Sequence, residues 1–266
     1  MLWGVCGGPD VGKAAKQAGY DYWEWSVPGA LCPLESDENF KKAHEVAQSV
    51  GLPCITLNMF VPAQLRIVGS EVDFAALERY VETALLRAKI VGIKAIVFGS
   101  GGARKSHDDW PQEKAWDQLV RFSNMAGKKA DDIGGSLIAL EPLNTNETNT
   151  INSITEGAKL VKEINRKGFR LLIDSYHWEQ EKPVPNPISV GEGLFIHAHT
   201  ATFPKRLCPG LEDYSFSTFF SGLKYLGYDA RISVEGRLTP LNGDDVDLIS
   251  YLEKGLSFMK ETWNKC

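Results

Sequence analysis

Short apolar runs, rich in aromatic and β-branched residues, recur along the chain at 2–6, 22–26, 54–58, 95–98, 137–141, 171–174, 195–199 and 231–235. Runs of this length between turn signals predict buried strands. The segments between them carry apolar residues three and four positions apart, clearest at 71–90, 113–133 and 153–164, and this predicts amphipathic helices. Ala18-Gly19, Val91-Gly92 and Leu226-Gly227 fall where helices should end, and glycine readily takes the left-handed conformation that closes one.

Eight strand–helix units over 266 residues average about 33 each, the repeat that closes a parallel sheet into a (β/α)8 barrel. The expected fold is therefore α/β, a single-domain TIM barrel over 1–266, with an open doubly wound sheet as the alternative. The sixth unit is irregular: after Asp174 the chain reads SYHWEQEKPVPNPISVGEG, whose three prolines predict a loop and a short turn. No Ser/Gly linker or low-complexity tract marks a second domain.

Composition narrows the class. With 43% apolar and 24% charged residues the chain can bury a large core. Lys and Arg number 29 against 34 acids, so the net charge of −5 argues against a binder of nucleic-acid backbones. Five scattered cysteines without a Cys-x-x-Cys pair predict reduced thiols and a cytoplasmic protein. The start MLWGVCGGPD lacks a signal-peptide pattern, and no stretch approaches the roughly 18 apolar residues of a membrane span, so no membrane partner is expected.

The chemistry sits at strand ends. Glu141 in SLIALEP, Asp174 in LLIDSYH, His199 in FIHAHT and Glu235 in ISVEG each close an apolar run in the second half of the chain. Strands distant in sequence can converge these groups at the barrel mouth, where active sites of this fold gather. Three carboxylates and one imidazole, with no thiolate, suit one divalent metal ion (Mn, Co or Mg, with Zn also accommodated) open to substrate oxygens. Any one acid at a strand end can simply cap the next helix; four such ends together point to a catalytic metal. Residues at i and i+2 share a face, so His197 lies behind His199 as a buried, hydrogen-bonded neighbour. His177 and Glu147 fall on the loops that rim the metal.

The ordered set Glu141-Pro-Leu-Asn-x-x-Glu147, Asp174-x-x-His177, His197-x-His199, Arg206-Leu-x-Pro-Gly210 and Ser233-Val-Glu235 resembles the xylose isomerase-like superfamily of sugar isomerases and epimerases, most nearly its ketose 3-epimerase branch. The motifs cover 141–235; the N-terminal half matches only in its strand–helix rhythm. The resemblance implies a metal held by Glu141, Asp174, His199 and Glu235, with Glu141 and Glu235 as the acid/base pair that moves a proton on a small ketose through an enediolate. It implies that Glu147, His177 and Arg206 bind the substrate, and that the protein forms a homodimer or homotetramer. The loop HTATFPKRLCPG is one residue longer than the usual spacing, which leaves Lys205 as a substitute for Arg206.

Two loops carry weaker signals. Gly7–Ala14 imitates a nucleotide-binding loop but has Ala14 where a Ser or Thr would ligate magnesium, so it reads as an ordinary turn with Asp10 as helix cap. Gly99–Lys105 offers glycine amides with Arg104 and Lys105, either an anion cradle for a phosphorylated or carboxylated substrate or a plain rim loop. Among the aromatic residues Trp25, Phe60, Trp110 and Phe203, Phe60 and Trp110 are the foremost candidates to pack against a sugar face. The expected activity is a metal-dependent sugar epimerase or isomerase. An inosose-type dehydratase or hydroxypyruvate isomerase is the alternative, and a DNA-repair endonuclease is disfavoured because Asn58 and Gly99, not histidines, end strands three and four.

Overall fold

All eight apolar runs form parallel strands. In the computed structural model, which describes residues 1–181, 187–238 and 247–266, β1 (Leu2–Cys6), β2 (Tyr22–Ser26), β3 (Cys54–Asn58) and β4 (Ala95–Phe98) keep the expected limits. The limits of β5 (Leu137–Leu140), β6 (Phe169–Asp174), β7 (Phe195–Thr200) and β8 (Arg231–Val234) shift by one or two residues. Each strand pairs with its sequence neighbours, and β1 also pairs with β8 from Leu2↔Arg231 to Val5↔Val234, so the sheet closes. The TIM barrel expected from the repeat is the observed fold.

The helices that form the outer ring are α1 (Pro9–Gln17), α2 (Val27–Leu31), α3 (Asp37–Val50), α4 (Phe74–Val91), α5 (Gly101–Arg104), α6 (Gln112–Ile133), α7 (Ile154–Ile164), α8 (Ser175–Gln180), α9 (Ser217–Tyr225) and α10 (Leu248–Lys265). Their ends follow local chemistry. Asp73 accepts from the amides of Ala75 and Ala76, and Gly92 closes α4 at φ +81. Ser153 and Glu156 form a reciprocal capping box on α7, an arrangement in which the cap alone contributes about 1 kcal/mol. Asp10 is not the cap of α1: the helix starts at Pro9 after Gly8, and Asp10 lies in its first turn, ion-paired with Lys13 at 3.1 Å. The irregular sixth unit gives the six-residue α8 and a 3-10 turn at Ile188–Gly191; the prolines Pro183 and Pro185 lie outside the described residues.

The main apolar core lies between the strands and the helices, with Val5, Leu57, Phe98, Leu171 and Ile232 buried there. Inside the barrel the filling is layered. Val97, Ala139 and Leu172 form a separate small apolar cluster. Elsewhere around the barrel, on β2, β3, β7 and β8, stand buried polar groups: Glu24, Thr56, His197 and Ser233 are all fully enclosed, and His197 pairs in register with Leu172. The next step reaches Glu141, Asp174, His199 and Glu235. Side-chain alternation along parallel strands thus sets the acidic mouth two residues beyond Ala139, Leu172, His197 and Ser233, above an interior that is apolar on β4, β5 and β6 and polar on β2, β3, β7 and β8. No described helix is long and apolar enough to cross a membrane.

Candidate metal centre and substrate cavity

Glu141 follows β5 directly, and two features of the neighbouring loop hold it. Arg104 Nη2 donates to its backbone oxygen at 2.7 Å. Gly99 leaves room for its carboxylate, because a Cβ there would stand 2.6 Å from Glu141 Oε2. Asp174 ends β6 and caps α8, accepting from the His177 amide at 2.8 Å through Oδ1. Its Oδ2 is buried without a hydrogen-bond partner. An orphaned carboxylate oxygen is costly in protein interior, so a cation there would recover the loss.

Carboxylate oxygens of Glu141, Asp174 and Glu235 and one nitrogen of His177 all lie within 4.8 Å of one another. His199 adjoins the same point: its Nδ1 is 3.2 Å from Glu141 Oε1 and 3.5 Å from Glu235 Oε2. The two imidazoles differ in what they can offer. His177 Nδ1 accepts from the Asn144 amide at 3.2 Å and faces Asn144 Nδ2 at 2.7 Å. The ring proton of neutral His177 is thereby placed on Nε2, which makes that atom a donor toward the cavity. His199 instead turns Nε2 to Glu24 Oε1 at 3.0 Å and aims Nδ1 at the carboxylates. A second group, Cys6, Glu24 and His199, also brings ligand-type atoms within 4.8 Å. Glu24 is already engaged by Thr56, Ser233 and both histidines, which leaves it little capacity for an ion. The donor set with unspent lone pairs is that of Glu141, Asp174, His199 and Glu235, and it fits one oxygen-preferring divalent ion.

Electrostatics set the two glutamates apart. Burial, and then the nearby charge of Glu235, raise the Glu141 carboxyl above its usual range. Burial acts in the same sense on Glu235, but His199 and Arg206 outweigh it and hold that carboxyl low. Burial disfavours the His199 cation, yet the charges of Glu24 and Glu235 hold it well above the ordinary imidazole range.

Arg206, after β7, closes the far wall. Its Nη1 donates to Glu147 Oε1 and its Nη2 to Glu235 Oε2, both at 2.9 Å, and its guanidinium lies 4.9 Å above the Tyr176 ring. Lys205 points elsewhere, 55% exposed and 3.6 Å from Glu212. A cavity of about 280 Å³ opens over Glu141, Glu147, His177, Arg206 and Glu235. A neighbouring lobe, sharing Asn58, Met59, Arg206 and Glu235, extends toward Cys6, Trp25 and Arg237.

Four residues expected on the rim lie elsewhere. Phe60 is fully buried against Phe98, Phe122 and Tyr80, because its side chain faces the helices and not the mouth. Arg104 is also fully buried; Nε donates to Gly99 O at 2.7 Å, and Nη1 reaches Thr150 O and Ile151 O. It is a brace for the loop and not an anion contact. Lys105 is exposed, and neither it nor half-buried Trp110, whose ring lies 5.7 Å from Lys114 Nζ, lines the cavity. Trp25 does line it. Two participants escaped the sequence reading: Asn144, which lies within the Glu141 motif, and Glu24, whose one available signal is an acid standing alone inside the aromatic strand YWEWS.

Known proteins resemble this chain over most of its length. The chain is 26% identical to L-ribulose 3-epimerase of Methylomonas sp. strain DH-1 over 242 residues, covering 88% of this chain and 79% of that protein. It is 25% identical to D-psicose 3-epimerase of Agrobacterium fabrum over 244 residues, covering 88% and 80%. A crystal structure of a D-psicose 3-epimerase in the presence of D-fructose superposes with a TM-score of 0.84 at 18% identity, over 99% of both chains. Residues 13–262 match the family described as xylose isomerase-like TIM barrel, and this chain belongs to that family.

Proposed function

We propose that this protein is a divalent-metal-dependent epimerase of small ketoses, acting at the carbon next to the carbonyl. The observation that carries the reading is that Glu141, after β5, and Glu235, after β8, both line one cavity, with their carboxylates, Asp174 and His177 within 4.8 Å of one another. Glu141, Asp174, His199 Nδ1 and Glu235 would hold the ion. When bound, such an ion would supply Lewis acidity that makes the C–H beside the substrate carbonyl more acidic and stabilises the negative charge left on oxygen. One glutamate takes the proton from one face of that carbon and the other returns a proton to the opposite face, which inverts the centre. His177 Nε2–H and the Arg206 fork donate to the oxygens that gain charge, and Glu147 holds Arg206 and accepts from a substrate hydroxyl. The 3-epimerases that match over most of their length support the class of substrate.

A screen of ketoses, ketose phosphates, hydroxypyruvate and inososes in D₂O with Mn²⁺, Co²⁺ or Mg²⁺, read by NMR, tests the proposal. Deuterium should enter a ketose at C3 with inversion, and Glu141→Gln or Glu235→Gln should abolish the exchange. Elimination of water from an inosose, or exchange that survives both substitutions, would sink it.

A further inference from the structure

Glu24 is a fully enclosed carboxylate beneath the acidic mouth, and four side chains hydrogen-bond to it. Its Oε2 accepts from Thr56 Oγ1 and Ser233 Oγ, each at 2.9 Å, and from His197 Nε2 at 2.7 Å; its Oε1 faces His199 Nε2 at 3.0 Å. The Tyr22 hydroxyl, 2.8 Å from Ser233 Oγ, completes the chain by donating to the serine whose own proton is given to Glu24. The carboxylate can only accept, so His197 directs its Nε2–H at Glu24, and its Nδ1, buried without a partner, keeps the bare lone pair of a neutral ring. The same anion fixes the second ring: Nε2–H of His199 is held by Glu24, so only Nδ1 is left to face an ion, and Nδ1 is the atom that lies 3.2 Å from Glu141 and 3.5 Å from Glu235.

We propose that Glu24 is a positioning residue of the metal centre, setting the orientation and tautomer of His199 so that Nδ1 is the ligand and supplying negative charge behind it. This rests on the metal-centre reading given above. A carboxylate behind a metal-bound imidazole raises its basicity and fixes its ring, and removing such a partner weakens metal binding about 10- to 100-fold. The competing role is purely structural, since the network ties β2, β3, β7 and β8 together. That role would lower the stability of the metal-free fold and leave its affinity for metal alone.

Calorimetric titration of chelator-stripped protein with Mn²⁺, with no sugar present, separates the two. Glu24→Gln should bind Mn²⁺ about 10- to 100-fold more weakly than wild type, with the metal-free circular dichroism and Tm retained. Thr56→Val, which removes one donor to Glu24 but leaves the His199 bond, should bind close to wild type. Equal affinity of Glu24→Gln and wild type overturns the proposal while leaving the metal centre standing; a wild-type protein that binds no Mn²⁺ overturns both. Should Glu24→Gln fail to fold, the long-range ¹H–¹⁵N imidazole spectrum of the Mg²⁺-loaded wild type gives the same answer. A proton on Nε2 of His199 supports the assignment, and a proton on Nδ1 overturns it.

Discussion

Arg206 Nη2 lies 2.9 Å from Glu235 Oε2 while Nη1 of the same guanidinium lies 2.9 Å from Glu147 Oε1. A planar fork spans two acids at once, one after β8 and one in the loop after β5, and an ammonium group cannot reproduce that geometry. Arg206→Lys should therefore keep Mn²⁺ binding but lower kcat/KM on the order of 100-fold, the scale of a misplaced reacting group. Lys205→Ala should leave both unchanged, because Lys205 faces solvent and Glu212. Steady-state kinetics on the pair decides which cation of the lengthened loop serves the site.

Removal of metal should cost stability. The carboxylates of Glu141, Asp174 and Glu235 converge within 4.8 Å, and Asp174 Oδ2 has no protein partner. An ion that binds only the folded chain adds about 2.7 kcal/mol at one hundred times its Kd, which corresponds to roughly 5–10 °C in a chain of this size. Differential scanning calorimetry with and without Mn²⁺ after chelation measures the shift, and an unchanged Tm would contradict the site.

Gly99→Ala should disable the centre while leaving the barrel intact. The added methyl would stand 2.6 Å from Glu141 Oε2, so the carboxylate must swing away. The expected result is weaker Mn²⁺ binding and loss of exchange activity, with a far-ultraviolet spectrum identical to wild type. A variant with full activity would show that Glu141 reaches the ion from another direction.

What could be read in the sequence, and what could not, follows from how local each signal is. Strand limits such as those of β1 and β4 depend on runs of four or five residues bounded by turns, and these are visible in any window. The quartet Glu141, Asp174, His199 and Glu235 stood out because each acid or imidazole ends its own strand. Glu24 did not: its partners His197 and His199 are 173 and 175 residues away, and only closure of the barrel brings β2 across from β7. Arg104 was misread for the complementary reason. A cation after glycines looks solvated, yet here short α5 rolls the side chain inward, where backbone carbonyls of two loops surround it. Phe60 likewise follows a strand end, but Met59 at φ +54 turns the chain and sends Phe60 into the outer core.

The burial of Arg104 separates a structural brace from an anion contact by experiment. Burial lowers its pKa to about 10, with Glu141, Glu156 and Glu147 opposing, and its guanidinium satisfies the carbonyl oxygens of Gly99, Glu141 and Thr150. Arg104→Met keeps much of the volume but strands those oxygens in a dry interior, where each unsatisfied group costs about 1–3 kcal/mol. The variant should lose on the order of 3 kcal/mol in urea unfolding, and its residual folded fraction should discriminate no differently between a ketose and its phosphate. A substrate-binding arginine would behave in the opposite way, with near wild-type stability and a rise in KM confined to the phosphorylated sugar. The bonds to Gly99 and Glu141 favour the first outcome, because the same side chain fixes both the glycine that makes room for the Glu141 carboxylate and the backbone that carries it.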